Sequence, residues 1–217
     1  MKVNRTRSIW LAVLFLLGHA QTSRAQITFD DIRFWVGSGA NRAALVIDWN
    51  SGAAPQSLVW GYRWDGPATG LTLFEAIATA DPRFYYEWVP GFERGAVFGI
   101  GFDVDGDGFS KSDPDDKYQE GWFANGFWAY YIDTVPGSSI PTEGPSANRW
   151  RFSPTGLASR TLVDGSWDGW SWAPNFRATR PSVPVPVSAP VPEPGTVVLL
   201  GGFSAVGAAF AARRRKR

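Results

Sequence analysis

Seven stretches of the chain are dense in Val, Ile, Leu, Phe, Tyr and Trp: residues 27–36, 43–49, 57–64, 83–89, 96–102, 126–134 and 148–152. Gly, Pro, Asn and Asp separate them, and short apolar runs bounded by turn formers predict β-strands. One segment has a different period. Leu73, Phe74, Ile77 and Ala80 recur at helical spacing, Thr72 stands where an N-cap is needed, and Asp81-Pro82 supplies a stop. The pattern predicts a mainly β, α+β domain: one antiparallel, β-rich unit carrying a single short packed helix near residues 71–80. No internal repeat is present.

Two apolar runs fall outside this body. Ile9 to Gly18 follows Lys2, Arg5 and Arg7 and precedes Ser23-Arg24-Ala25, the small-residue pattern read by signal peptidase. Residues 1–25 are therefore expected to be a signal peptide cleaved before Gln26. Gly195 to Ala212 would form a helix of roughly 27 Å, against about 30 Å of membrane hydrocarbon. The cluster Arg213-Arg214-Arg215-Lys216-Arg217 behind it favours the cytoplasmic side. Between body and helix, residues 181–194 contain six prolines, which favour polyproline II and a semi-rigid spacer of about 40 Å. The expected organisation is a signal peptide at 1–25, a β-rich extracytoplasmic domain at 26–180, a Pro-rich linker at 181–191 and a C-terminal signal at 191–217.

That last segment is specific. Pro192-Glu193-Pro194, a Leu/Gly/Ala-rich helix and a terminal basic cluster, in that order, resemble the PEP-CTERM sorting signal of Gram-negative bacteria. The resemblance implies that the chain is a substrate of exosortase, a membrane-embedded transpeptidase, and that it passes through an inner-membrane intermediate to the cell surface or extracellular matrix. It implies no catalytic activity in the chain itself.

Removing both ends alters the chemistry available. The only His is His19, the only Met is Met1 and there is no Cys. The mature chain would thus lack imidazole, thioether and thiol, which excludes Ser-His-Asp and Cys-His catalysis, His/Cys zinc sites and His, Met or Cys haem ligation. Its core would also hold without disulfides. Four of the 21 Lys and Arg precede Gln26 and five lie at the C-terminus, leaving 12 against 20 Asp and Glu, a net charge of −8. A surface of that sign suits cations or neutral ligands and repels nucleic acid.

The richest chemical pattern runs from Phe102 to Asp116. Asp103, Asp105 and Asp107 alternate ahead of Gly108, with Asp113, Asp115 and Asp116 following. Alternating carboxylates with glycine let a loop converge several hard oxygens on one cation, which makes Ca²⁺ the expected cofactor. An EF-hand would place a bidentate carboxylate where Pro114 stands, and strand signals replace its helices, so the expectation is a Ca²⁺ loop of another kind or a solvated acidic turn.

Eleven tryptophans remain after the signal peptide is removed. Most are expected in the core. Trp167, Trp170 and Trp172, with Trp122 and Trp128 near the acidic loop, form a candidate glycan platform, with extracellular polysaccharide as the candidate partner. Gly126 to Tyr131, Leu162-Val163-Asp164-Gly165 and Trp170-Ser171-Trp172 also bear a similarity to β-grasp modules of the transcobalamin C-terminal type, which implies a small-molecule or partner-binding module. A carbohydrate-active enzyme would have to work through two carboxylates alone. Glu75, Glu87, Glu93 and Glu120 are available, but no spacing singles out a pair. No catalytic residue is assigned, and the expected role is binding or structural.

Overall fold

The computed structural model describes residues 27–133 and 149–190. The expected signal helix, the helix at 195–212 and the strand ends at 134 and 148 lie outside the described residues. Among those described, no helix is long and apolar enough to cross a membrane.

The body is mainly β, with two sheets and one short helix. After a 3₁₀ turn at Phe29–Asp31 come β1 (Trp35–Gly37), β2 (Asn41–Asp48), β3 (Ser57–Trp64), α1 (Gly70–Ala80), β4 (Phe84–Trp88), β5 (Val97–Phe102), β6 (Lys117–Glu120), β7 (Gly126–Ile132), β8 (Arg151–Phe152), β9 (Ser166–Pro174) and β10 (Val185–Pro186). Strands β4, β5 and β6 form the smaller, antiparallel sheet. The larger sheet has the order β1-β3-β2-β9-β7-β8, with β10 also beside β3.

The larger sheet is mixed rather than antiparallel. Pairs β1·β3, β10·β3 and β2·β9 are parallel, whereas β2·β3, β7·β9 and β7·β8 are antiparallel. Apolar patterning fixes which residues are buried but not which way a sequence-distant strand runs. Only a short hairpin forces antiparallel pairing.

Both faces of the large sheet are covered, which explains why its middle strands lack apolar/polar alternation. On one face, Leu45, Ile47, Trp60, Trp170 and Trp172 pack with Leu73, Phe74 and Ile77 of α1 and with Phe84, Ile100 and Phe102 of the small sheet. On the other, Ala44, Val46, Val59, Tyr131 and Trp167 are sealed by Ile27, Phe29, Ile32 and Trp150. The small sheet is thus held against the large one through a shared apolar layer.

Helix α1 starts before its expected position. Thr69 is the N-cap, accepting from the Thr72 N–H at 3.3 Å, while the Thr72 hydroxyl accepts from the Thr69 N–H at 2.8 Å. Thr72 is therefore the third helical residue of a capping box with Thr in the place of Glu. At the other end Asp81 is fully buried. It accepts from Trp60 Nε1 at 2.9 Å and pairs with Arg83 Nε at 2.8 Å, tying the helix stop to β3 and β4.

Candidate functional site

The acidic segment is the crossover from β5 to β6. Asp103 follows directly on β5 and is 4% exposed; its N–H donates to the Arg83 carbonyl at 2.9 Å. Its two carboxylate oxygens accept from Gly106 N at 2.7 Å and Gly108 N at 3.0 Å. Those glycines have φ of 86° and 117°, conformations that L side chains rarely adopt, so the Asp-Xaa-Asp-Gly-Asp-Gly order lets the chain wrap around the first carboxylate. Asp116 closes the far end, accepting from Ser110 N at 2.6 Å through Oδ2.

The wrap brings Asp103, Asp105 and Asp116 together, with one oxygen of each lying within 4.8 Å of the others. Asp116 Oδ1 is buried and accepts no hydrogen bond among the described residues. Of the other expected ligands, Asp113 uses its carboxylate to accept from Asp115 N at 3.0 Å, and Asp107 and Asp115, exposed like Asp105, are not among the three whose oxygens converge. Asp107 reports the local field: Asp105 first, then Asp113, Asp103 and Asp116, push its pKa above the ordinary value. An all-carboxylate donor set with a buried, unpartnered oxygen fits a hard cation such as Ca²⁺. The ion would neutralise the mutual repulsion of the carboxylates, with Asp103, Asp105 and Asp116 as the residues holding it.

A second set of contacts clamps this loop onto the small sheet, and sequence reasoning missed it. Phe109 stacks on Tyr85 at 4.3 Å between ring centres and lies over Gly101, where a Cβ would come within 2.3 Å of the Phe109 ring. Lys111 Nζ reaches Glu87 of β4 at 3.0 Å and Glu120 of β6 at 2.9 Å. The Tyr118 hydroxyl lies within hydrogen-bond distance of both carboxylates, its one proton shared between them, and Tyr85 donates to Glu87. Burial opposes ionisation of Glu87, but the Tyr85, Lys111 and Tyr118 hydrogen bonds hold its pKa below the ordinary value; those from Tyr118 and Lys111 do the same for Glu120. The signal was present as Tyr-Xaa-Glu in both β4 and β6, since residues two apart share one strand face.

Two clefts open on the body. One, of about 550 Å³, borders the acidic loop and is lined by Asp105, Asp115, Asp116, Pro55, Tyr118 and Gln119. The other, of about 350 Å³, is lined by the aromatic residues Trp122, Phe127, Trp128, Tyr130, Phe152 and Trp170 together with residues 95–97 and 153–157.

The expected tryptophan platform is not formed. Trp167, Trp170 and Trp172 are 1%, 4% and 4% exposed, and of the three Trp170 alone lines one of the two clefts, so they make no common ring face for a sugar. They also lie on opposite faces of the large sheet, Trp167 with Ile27 and Phe29, the other two beneath α1 and the small sheet. Trp128 is buried as well and donates from Nε1 to the Gln119 carbonyl at 3.1 Å.

No curated protein and no solved structure matches the chain. The likeness of the body to transcobalamin C-terminal modules therefore rests on its sequence patterns alone. The match lies beyond the body: residues 190–216 carry the PEP-CTERM protein-sorting motif, so the chain bears the signal of an exported protein processed by exosortase.

Proposed function

We propose that the mature protein acts at the cell surface or in the extracellular matrix by binding or by structure, without catalysis, and that Ca²⁺ held by the loop between β5 and β6 stabilises its body. The observation that carries the calcium reading is the convergence of Asp103, Asp105 and Asp116 within 4.8 Å around a loop in which Asp116 Oδ1 is buried without a partner. Three like charges at that separation repel unless a cation or protons intervene. Extracellular calcium reaches the concentrations at which weak surface modules load. The non-catalytic reading rests on a body without His or Cys and on Glu87 and Glu120, the two carboxylates on the strands of the small sheet, being joined through Lys111 and Tyr118.

Titration calorimetry of the purified mature protein with CaCl₂, paired with thermal melts, tests this. Binding heat and a raised Tm are expected, both lost in Asp105→Ala and Asp116→Asn. A wild-type protein with neither response removes calcium from the reading.

A second reading concerns the partner. The 550 Å³ cleft shares Asp105 and Asp116 with the carboxylate cluster, a setting in which neutral, hydroxyl-rich chains meet acceptors and a cation together. Extracellular polysaccharide is the candidate. Glycan-array binding that requires CaCl₂ supports it, and an array without signal in the presence of calcium rejects it.

A further inference from the structure

The Pro-rich run after the body is built into the fold, contrary to the free spacer its composition predicts. Pro181, Pro184 and Val187 are buried. Ser182 N donates to Asp48 Oδ2 at 2.6 Å. Strand β10 lies parallel to β3, with Val185 opposite Leu58 and Pro186 opposite Val59. The Val187 N–H donates to the Val59 carbonyl at 3.1 Å, and Arg83 Nη2 donates to the Ser188 carbonyl at 2.7 Å. Because the Val187 N–H faces β3, Pro186 falls on the alternate position, where a missing N–H costs no ladder bond. Proline spacing here suits an edge strand as well as a polyproline rod.

This docking changes the reach of the sorting motif. Undocked, the run from Pro181 to Pro194 would span about 40 Å. Docked, its last anchor is Ser188, and the four-residue step from there to Pro192 spans at most about 14 Å. A domain of this size has a radius of gyration of about 15 Å. The first residue of the motif is thus held within one body radius of a folded surface and Pro194 within about 21 Å, where an enzyme that grips extended chain on both sides of its scissile bond meets the body first.

We propose that residues 181–188 form a docking strap that sets the stand-off of the sorting motif, so that strap release from β3, and not the sequence of the motif alone, governs access by a macromolecular enzyme. That enzyme is exosortase on the reading already given; the control of access stands independently of it. The strap is a regulatory surface of the body, and its partner is the segment that the enzyme must engage.

The Cys-free chain permits a direct test on the full chain in detergent micelles carrying Val191→Cys. Its reaction is followed with a small maleimide and with a maleimide bearing a long polyethylene glycol chain. The small reagent should react alike in all forms. The large one is expected to react roughly tenfold more slowly with the otherwise unaltered chain than with forms carrying either Val187→Asp, which puts a carboxylate at a buried strap position, or a short Gly-Ser insertion between Ala189 and Pro190, which leaves the strap untouched. That ratio corresponds to about 1.4 kcal/mol of docking. Equal size selectivity in all three forms overturns the proposal. In cells carrying exosortase, faster maturation of the insertion form supports it, and unchanged maturation of a form whose labelling is relieved overturns its control of processing. Absence of maturation in every form overturns the exosortase reading instead, while the labelling ratio still decides the strap.

Discussion

Gly70 begins α1 without a side chain because the space is taken. A Cβ there would lie 2.4 Å from the Tyr130 hydroxyl and 2.9 Å from Asp168 Oδ2. Tyr130 donates to Asp168, and Arg160 faces the same carboxylate at 3.5 Å, with both members of the ion pair buried. Burial pushes the Asp168 pKa up, against the pull of Arg160 and Tyr130. Gly70→Ala should therefore destabilise the body by about 1–3 kcal/mol through overpacking, read as a lower urea midpoint. Asp168→Asn should cost more, about 3–5 kcal/mol, because it leaves the Arg160 charge buried opposite a neutral group. Neither effect was legible in the sequence. Nothing in the sequence around Gly70 shows which side chains will surround it, and nothing in the spacing of residues 130, 160 and 168 brings them together. The tryptophan cluster is a further case: no apolar run marks residues 166–174 as a strand, and only once they form β9 does Trp167 take opposite parity to Trp170 and Trp172, which excludes a platform shared by all three.

At the scale of elements, the β5–β6 loop is fastened twice, by its own carboxylates around Gly106 and Gly108 and by Lys111 across the small sheet. Glu87 and Glu120 have folded pKa values below the ordinary 4.5, so each stabilises the fastened loop above that value and ceases to do so as pH falls through the lowered one. Asp133 and Asp168, raised chiefly by burial, bind a proton more readily folded than unfolded and so favour the fold on the acid side. Acidification below about 4.5 should therefore loosen the loop before the body unfolds, seen as loss of amide protection across residues 103–116 while Trp fluorescence of the core persists. Simultaneous loss of both signals would refute it. Lys111→Met should mimic this at neutral pH, weakening calcium binding while moving global stability by no more than about 1 kcal/mol, since the ion pairs are part-exposed. Apolar runs disclosed most of the long strands and α1. They missed β9, the longest strand, whose Ser166, Asp168, Gly169 and Ser171 interrupt its apolar residues, and β6, whose Lys117-Tyr118-Gln119-Glu120 is short and polar, because the register of each comes from pairing with its neighbours and not from its own composition.

For the whole molecule, stability without disulfides depends on closing edges and faces with the chain's own ends. The N-terminal segment at Ile27–Ile32 covers one face of the large sheet. At its β3 edge, β1 pairs with Gly61–Arg63 and β10 with Leu58–Val59, so two short strands from opposite ends of the body complete one edge between them. A sequence reading that assigns residues 181–191 to a linker predicts that ending the chain at Arg180 is harmless. The structure predicts the contrary. Truncation removes Val187, 4% exposed in the core layer with Leu58 and Trp60, whose burial alone contributes about 1.5–3 kcal/mol, and bares backbone groups along β3 that invite pairing with another chain. A chain spanning residues 26–180 should therefore melt several degrees below one spanning 26–190 and associate in a concentration-dependent way by sedimentation, with Val187→Ser in the longer chain reproducing the melting loss without the bared edge. If the two lengths melt together and stay monomeric, the strap contributes nothing to the fold, and its hold on the sorting motif fails with it.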